Sequence, residues 1–203
     1  SPLALAEQEC ARGLAAGAAR EIELALAGFE QLQQPTPLTL ELSWPGGSRT
    51  RNALVRPLLL NPGLELDEDG DSVPDYWRRS GTKSTFATGF EEGGAWIQGD
   101  PDEYQFLIQP VPLKPETEYY FAGRIKRSEP TKQVSIAVVE SVGERGIVMH
   151  WLGNDETLPG GEWQRFETTF TTGAEFRACN VYLYCTNTPA RAWFDDLELQ
   201  PVE

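Results

Sequence analysis

Short runs in the second half of the chain alternate apolar and polar side chains with the two-residue period of a strand. Over 119–126, Tyr119, Phe121, Gly123 and Ile125 alternate with Tyr120, Ala122, Arg124 and Lys126. Over 133–139, Val134, Ile136 and Val138 share one face. Over 180–185, Val181 and Leu183 face away from Tyr182 and Tyr184. Residues 163–170 and 193–199 are further runs of this kind. Turn residues separate them, and no helix-period segment intervenes from about Ala53 onward. The pattern predicts an all-β fold, a sandwich of two antiparallel sheets.

The first part of the chain reads differently. Residues 4–34 are rich in Ala, Leu, Glu and Gln. Leu14, Ala18, Ile22, Ala25, Phe29 and Leu32 draw one apolar stripe at helical spacing, which predicts an N-terminal α-helical extension. Gly13, Gly17 and Gly28 weaken it by about 1 kcal/mol each relative to Ala. Pro35 and Pro37 end it. Residues 38–60 read as extended, with Leu38, Leu40 and Leu42 alternating with polar neighbours. The run Trp44-Pro45-Gly46-Gly47-Ser48 breaks that stretch as a turn. Residues 1–52 are therefore expected to be a helical extension or a linker from a neighbouring domain, and 53–203 a sandwich.

Charge narrows the partners. Seventeen basic against 31 acidic side chains give a net charge of −14 over 203 residues. That argues against nucleic acid and anionic membranes, which need a basic surface, and it disfavours polyanionic glycans. No stretch approaches about 20 uninterrupted apolar residues, so no membrane span is expected. No positively charged segment leads into an apolar core, so no signal peptide is expected in this chain. Cys10, Cys179 and Cys185 lack a metal-ligand spacing. Cys179 and Cys185 sit in one extended run and cannot bridge without a bend, which makes small buried apolar groups of them. A disulfide from Cys10 to either remains open.

Several motifs resemble one family. Leu59-Leu60-Asn61-Pro62-Gly63-Leu64-Glu65 resembles the opening N-G/P-G-F-E strand of carbohydrate-binding modules of families 4, 9, 16 and 22. Asp75-Tyr76-Trp77 resembles the P-D-G-W that follows it. Leu113-Lys114-Pro115-Glu116-Thr117-Glu118-Tyr119 is similar to the lead into a central strand. Gly161-Glu162-Trp163-Gln164-Arg165-Phe166 and Trp193-Phe194-Asp195-Asp196-Leu197-Glu198-Leu199 resemble two later strands, in family order. The resemblance runs over about residues 54–203. It implies a galactose-binding-like jelly roll, usually beside a catalytic domain in a secreted or cell-surface polysaccharide-degrading enzyme. It also implies structural roles for Trp77 and Trp163.

Two calcium sites are expected. Asp67, Asp69, Asp71 and Asp75, with Gly70 among them, can surround a hard cation with oxygens. Mutual repulsion of the carboxylates favours a counter-cation, although the same run also reads as a solvated acidic turn. The second site comes from the resemblance, in which a structural calcium ties the first strand to the last. It implies Glu65 and Asp195 as ligands, with Asp196 as the alternative.

Sugars stack on aromatic rings and pair their hydroxyls with planar polar groups. If the strands 119–126 and 180–185 lie in one sheet, Tyr120, Arg124, Tyr182 and Tyr184 line one face as ligand contacts. Trp96, after a glycine pair, and Trp151, beside His150 and Asn154, are the other candidates, as rings at loop edges. His150 is the one histidine, and no G-x-S-x-G or H-E-x-x-H is present. The expected function is non-catalytic binding of a neutral polysaccharide that targets a linked enzyme. The alternatives are a structural or adhesion module packing on its own enzyme or another protein, and a small jelly-roll lyase or hydrolase.

Overall fold

The computed structural model describes residues 35–44, 47–55, 57–83, 85–144, 146–154 and 159–202. The helix expected over 4–34 and Cys10 lie outside them. The chain divides into two compact units, Ser1–Pro57 and Leu58–Glu203. In the first, β1 (Thr36–Trp44) and β2 (Gly47–Val55) form an antiparallel hairpin, with Thr36 opposite Val55 and Trp44 opposite Gly47. The extended reading and its break after Trp44 correspond to this hairpin. A division at 52/53 would cut β2 within its paired length, and the compact units instead part after Pro57.

The second unit is the expected jelly-roll sandwich. Its strands are β3 (Arg78–Gly81), β4 (Thr88–Glu91), β5 (Gly94–Gln98), β6 (Tyr104–Val111) and β7 (Glu118–Arg127). They continue with β8 (Val134–Val142), β9 (Gly146–Leu152), β10 (Gln164–Thr171), β11 (Ala178–Thr186) and β12 (Arg191–Pro201). Two five-stranded antiparallel sheets result: a front sheet in the order β3-β6-β11-β8-β9 and a back sheet in the order β10-β7-β12-β5-β4.

The inner faces carry the alternating residues read from the sequence. Val134, Ile136, Val138, Val181 and Leu183 come from the front sheet, and Tyr119, Phe121 and Ile125 from the back sheet. Phe194 joins them from β12, opposite Ile125 on one side and Ala95 on the other. At Gly123 the sheets approach so closely that a Cβ would lie 2.8 Å from both Ile136 Cδ1 and Leu197 Cδ2. Cys179 and Cys185 are free and buried, as the extended run required. Burial pushes both thiols up to about 12, so neither is a reactive thiolate at neutral pH.

Two buried amides, Gln109 and Asn61, are matched to backbone. Gln109 on β6 imitates a strand partner for Leu60: its Oε1 accepts the Leu60 N–H at 2.7 Å and its Nε2 donates to the Leu60 carbonyl at 2.8 Å. Asn61, fully buried at φ 47°, closes the next turn. Its Oδ1 accepts the N–H groups of Glu65 and Leu66, and its Nδ2 donates to the Leu66 carbonyl. A positive φ is tolerated by Asn because its short amide bonds to nearby backbone.

Candidate functional site

The outer face of the front sheet is built in cross-strand rows. In one row Arg78, Ile108, Tyr182, Ala137 and Trp151 lie side by side from β3 to β9. In the next, Ser80, Phe106, Tyr184 and Ser135 do the same. The large rings converge because the residues between them are small. Ala137 separates Tyr182 from Trp151, and both Ser135 and Ala137 are buried as a floor. Tyr182 and Tyr184 stack with centroids 5.3 Å apart and planes at 14°. Phe106 meets Tyr182 at 5.3 Å and Tyr184 at 5.4 Å, and Trp151 meets Tyr184 at 5.2 Å.

These four rings are half-buried. Desolvation, with Tyr182 adding to it, pushes the Tyr184 phenol up to about 12, so it keeps its proton at neutral pH and remains able to donate a hydrogen bond. Asn180, in the neighbouring row with Pro110, Val139 and Met149, adds a planar amide. Arg78 is the one charged side chain on this face among the described residues of the five strands.

Arg127 stabilises the outer end of the patch from within. It is buried, and its guanidinium donates to the carbonyls of Val134 at 2.5 Å and Gly153 at 3.0 Å. It thereby ties the start of β8 to the chain just after Trp151. Burial lowers it to about 10, which leaves it charged at neutral pH.

The other expected contacts are not on this face. Tyr120 and Arg124 lie on β7, in the back sheet, whereas Tyr182 and Tyr184 lie on β11, in the front sheet. Their outer faces point away from each other across the sandwich, so the four residues do not line one face. Parity along a strand decides which way a side chain points from its sheet, and it does not decide which sheet the strand joins. Trp96 also belongs to the back sheet, opposite Trp193.

On the back face the aromatic surfaces are already covered by cations. Arg191 lies over Trp96 at 4.2 Å, Lys126 over Trp193 at 5.1 Å and Arg124 over Trp163 at 4.9 Å. Carboxylates hold each cation: Glu91 for Arg191, Glu92 for Lys126, and Asp195 with Asp196 for Arg124. Tyr120 donates its hydroxyl to Glu167 at 2.8 Å. Trp163 is half-buried beside Gly94 on this outer face rather than inside the sandwich, while Trp77 is buried as expected. A ring face covered by a cation is closed to a sugar, whereas the rings that gather on the front sheet carry no such cap among the described residues.

Of the expected calcium ligands, Asp67, Asp69 and Asp71 gather with carboxylate oxygens within 4.8 Å of one another. The backbone arranges them. Gly70, Asp71 and Ser72 donate their N–H groups to the Asp67 carboxylate, and Val73 donates to Asp71 at 2.7 Å. Asp75 stands apart, because its carboxylate accepts the Glu68 N–H. The loop is pinned to the strands by Arg79, which donates to the Asp71 carbonyl, and by Thr88, which donates to the Ser72 carbonyl at 2.6 Å.

Asp195 and Asp196 occupy a bulge in β12, where the register against β7 shifts. The Leu197 N–H donates to the Pro62 carbonyl at 3.0 Å, which brings the Asn61–Leu66 turn against this bulge. Burial, with Asp196 and Glu65 adding repulsion, pushes Asp195 up to about 6. Arg124 offers it a partner at 3.5 Å and lies 2.9 Å from Asp196.

His150 is engaged elsewhere. Its Nε2 lies 2.6 Å from Glu140 Oε1, its ring stacks on Phe170 at 4.1 Å, and Glu140 also accepts the Gly173 N–H. The histidine satisfies a buried carboxylate between the sheets.

Phe106 and Ile108 also belong to this candidate face, and the sequence pattern had not singled them out. The stretch Tyr104–Val111 does alternate, but in the reverse sense: Gln105 and Gln109 point inward, and Tyr104, Phe106 and Ile108 point outward. An alternating run with its aromatics on the parity opposite to its buried amides is the signal that was available.

The fold is shared with known proteins. A solved structure described as "Family 16 Carbohydrate Binding Module-2" superposes with a TM-score of 0.51 at 19% identity, covering 72% of this chain and 100% of that one. "CBM4 structure and function" gives 0.48 at 15% identity, covering 70% and 98%. A TmCBM61 structure in complex with β-1,4-galactotriose gives 0.45 at 20% identity, covering 73% and 100%. No family model matches the chain, and no curated protein matches it. The chain has the jelly-roll fold of a carbohydrate-binding module.

Proposed function

We propose that residues 58–203 are a non-catalytic module that binds a neutral polysaccharide on the outer face of the front sheet. The observation that carries this reading is the convergence of Phe106, Tyr182, Tyr184 and Trp151 on a nearly uncharged face. Rings offer faces and edges to sugar C–H groups, while the tyrosine hydroxyls and Asn180 meet sugar hydroxyls. Among the described residues the face carries no carboxylate, so it offers no acid–base pair to cleave a glycosidic bond, which favours binding without cleavage. The module's role would be to hold a linked carbohydrate-active enzyme near its substrate, outside the cell.

Affinity electrophoresis tests the reading. The full chain is run in native gels containing xylan, mixed-linkage β-glucan, glucomannan, galactan or pectin. Retardation on a neutral glycan is the expected result. Free migration in every gel would overturn it and point the aromatic face toward a protein partner.

Calcium is proposed as a structural staple. Asp67, Asp69 and Asp71 fit a hard cation through their clustered oxygens, and Glu65 with Asp195, or with Asp196 in its place, would form the second site. A cation there relieves carboxylate repulsion and ties the turn before β3 to β12. At saturating calcium such a site contributes about 2.7 kcal/mol when the ion is at a hundred times its dissociation constant. Excess chelator is then expected to lower the melting temperature by about 5–10 °C. An unchanged melt would count against both sites.

A further inference from the structure

We propose that β9 pairs edge to edge with β9 of a second copy of this chain. The sandwich has four edge strands, and three of them carry the features that block pairing. β3 and β4 are four residues each and bear Arg78, Arg79 and Glu91. β10 bears Arg165 and Glu167. β9 is seven residues long and reads Gly-Ile-Val-Met-His-Trp-Leu, with no proline, Lys, Arg, Asp or Glu. It pairs with β8 in unbroken register from Gly146 to Leu152, so no bulge turns its free side away. Among the described residues no strand pairs with that side. Ile147 and Val148 are 58% and 45% exposed, one on each face of the strand.

A second copy is the occupant that this strand fits. Antiparallel self-pairing about a two-fold axis at Met149 sets Ile147 opposite Trp151 of the other copy, both on the outer face. Val148 then lies opposite His150 on the inner side. Each exposed aliphatic residue gains a large cross-strand neighbour, and the strand brings no charge that would be buried unpaired. Such a pair makes one ten-stranded sheet. The aromatic patches of the two copies then lie on the same side of it, which makes the assembly bivalent. The association does not depend on the carbohydrate reading, although its bivalency does.

The net charge of −14 on each copy opposes association at long range, and salt screens that repulsion. Sedimentation velocity of the full chain, without glycan, is measured over a concentration series at about 0.15 M and about 1 M salt. The expected result is a monomer–dimer equilibrium that shifts toward dimer at the higher salt. Ile147→Lys and Val148→Lys change exposed side chains and are expected to hold the chain monomeric at both salts. Thr169→Lys, on the edge strand β10, is expected to associate as the parent does. A parent chain that stays monomeric throughout overturns the proposal. So does an Ile147→Lys chain that dimerises as well as the parent, or a Thr169→Lys chain that does not. Gel retardation of Ile147→Lys on the glycans above is a separate readout, so failure to dimerise and failure to bind sugar are told apart.

Discussion

Replacing Tyr182 and Tyr184 together with alanine is expected to weaken binding to the retarding glycan by about tenfold to a hundredfold. Ring contacts of this kind are worth about 0.5–1.5 kcal/mol each beyond the area they bury. The double change also removes the support that each ring gives the other and that Phe106 and Trp151 draw from them. The inward residues of β11, Val181 and Leu183, are untouched, so the fold should survive. Isothermal titration with a soluble oligosaccharide reads the affinity, and circular dichroism checks the fold. A folded variant that binds as tightly as the parent would show that the sugar sits elsewhere. Tyr184→Phe separates the hydroxyl from the ring: a loss confined to the double alanine variant assigns the work to stacking.

The largest effect on stability is expected at Phe194. Its ring is fully buried in the middle of β12, between Ile125 and Ala95. Phe194→Ala removes the apolar transfer energy of the ring and leaves a cavity that two five-stranded sheets cannot readily close. The cost is about 3–5 kcal/mol, out of a total stability of about 5–15 kcal/mol for a typical domain. The melting temperature should fall by about 6–20 °C. A fall of only a degree or two in a thermal melt would mean that the site repacks, contrary to its position between two ladders.

These three residues also mark what the sequence made legible. The inward parity of Val134, Ile136, Val138, Val181 and Leu183 was visible, whereas strict alternation sets Phe194 with Asp196 and Glu198, and it faces inward with Leu197 and Leu199 because the bulge after Asp195 shifts the register. Local period sets the direction of each side chain, and that information is contained in a few adjacent residues. The site needed more. Tyr182 and Tyr184 were visible as outward rings, but their neighbours come from β6, β8 and β9, brought alongside by long-range pairing. Tyr120 and Arg124 had the same outward parity and joined the other sheet. No local signal distinguishes the two cases. β6 was harder still, because Gln109 is buried by bonding to the backbone of Leu60, which inverts the usual relation between polarity and exposure. The gathering of Asp67, Asp69 and Asp71 was legible because their donors are their own near neighbours in the chain, whereas Asp75 turns to the Glu68 N–H and does not join them.

The place of β12 in the back sheet has a mechanical consequence. This strand is the central one, bonded to β7 on one side and to β5 on the other. Tension applied at its C-terminal end and resisted by the rest of the sandwich would load both ladders lengthwise, so that bonds along the strand share the force. An edge strand pulled from its end could peel away one bond after another. In the proposed role of tethering an enzyme to a solid, a shear-loaded central strand would give the tether a high rupture threshold in the direction of β12.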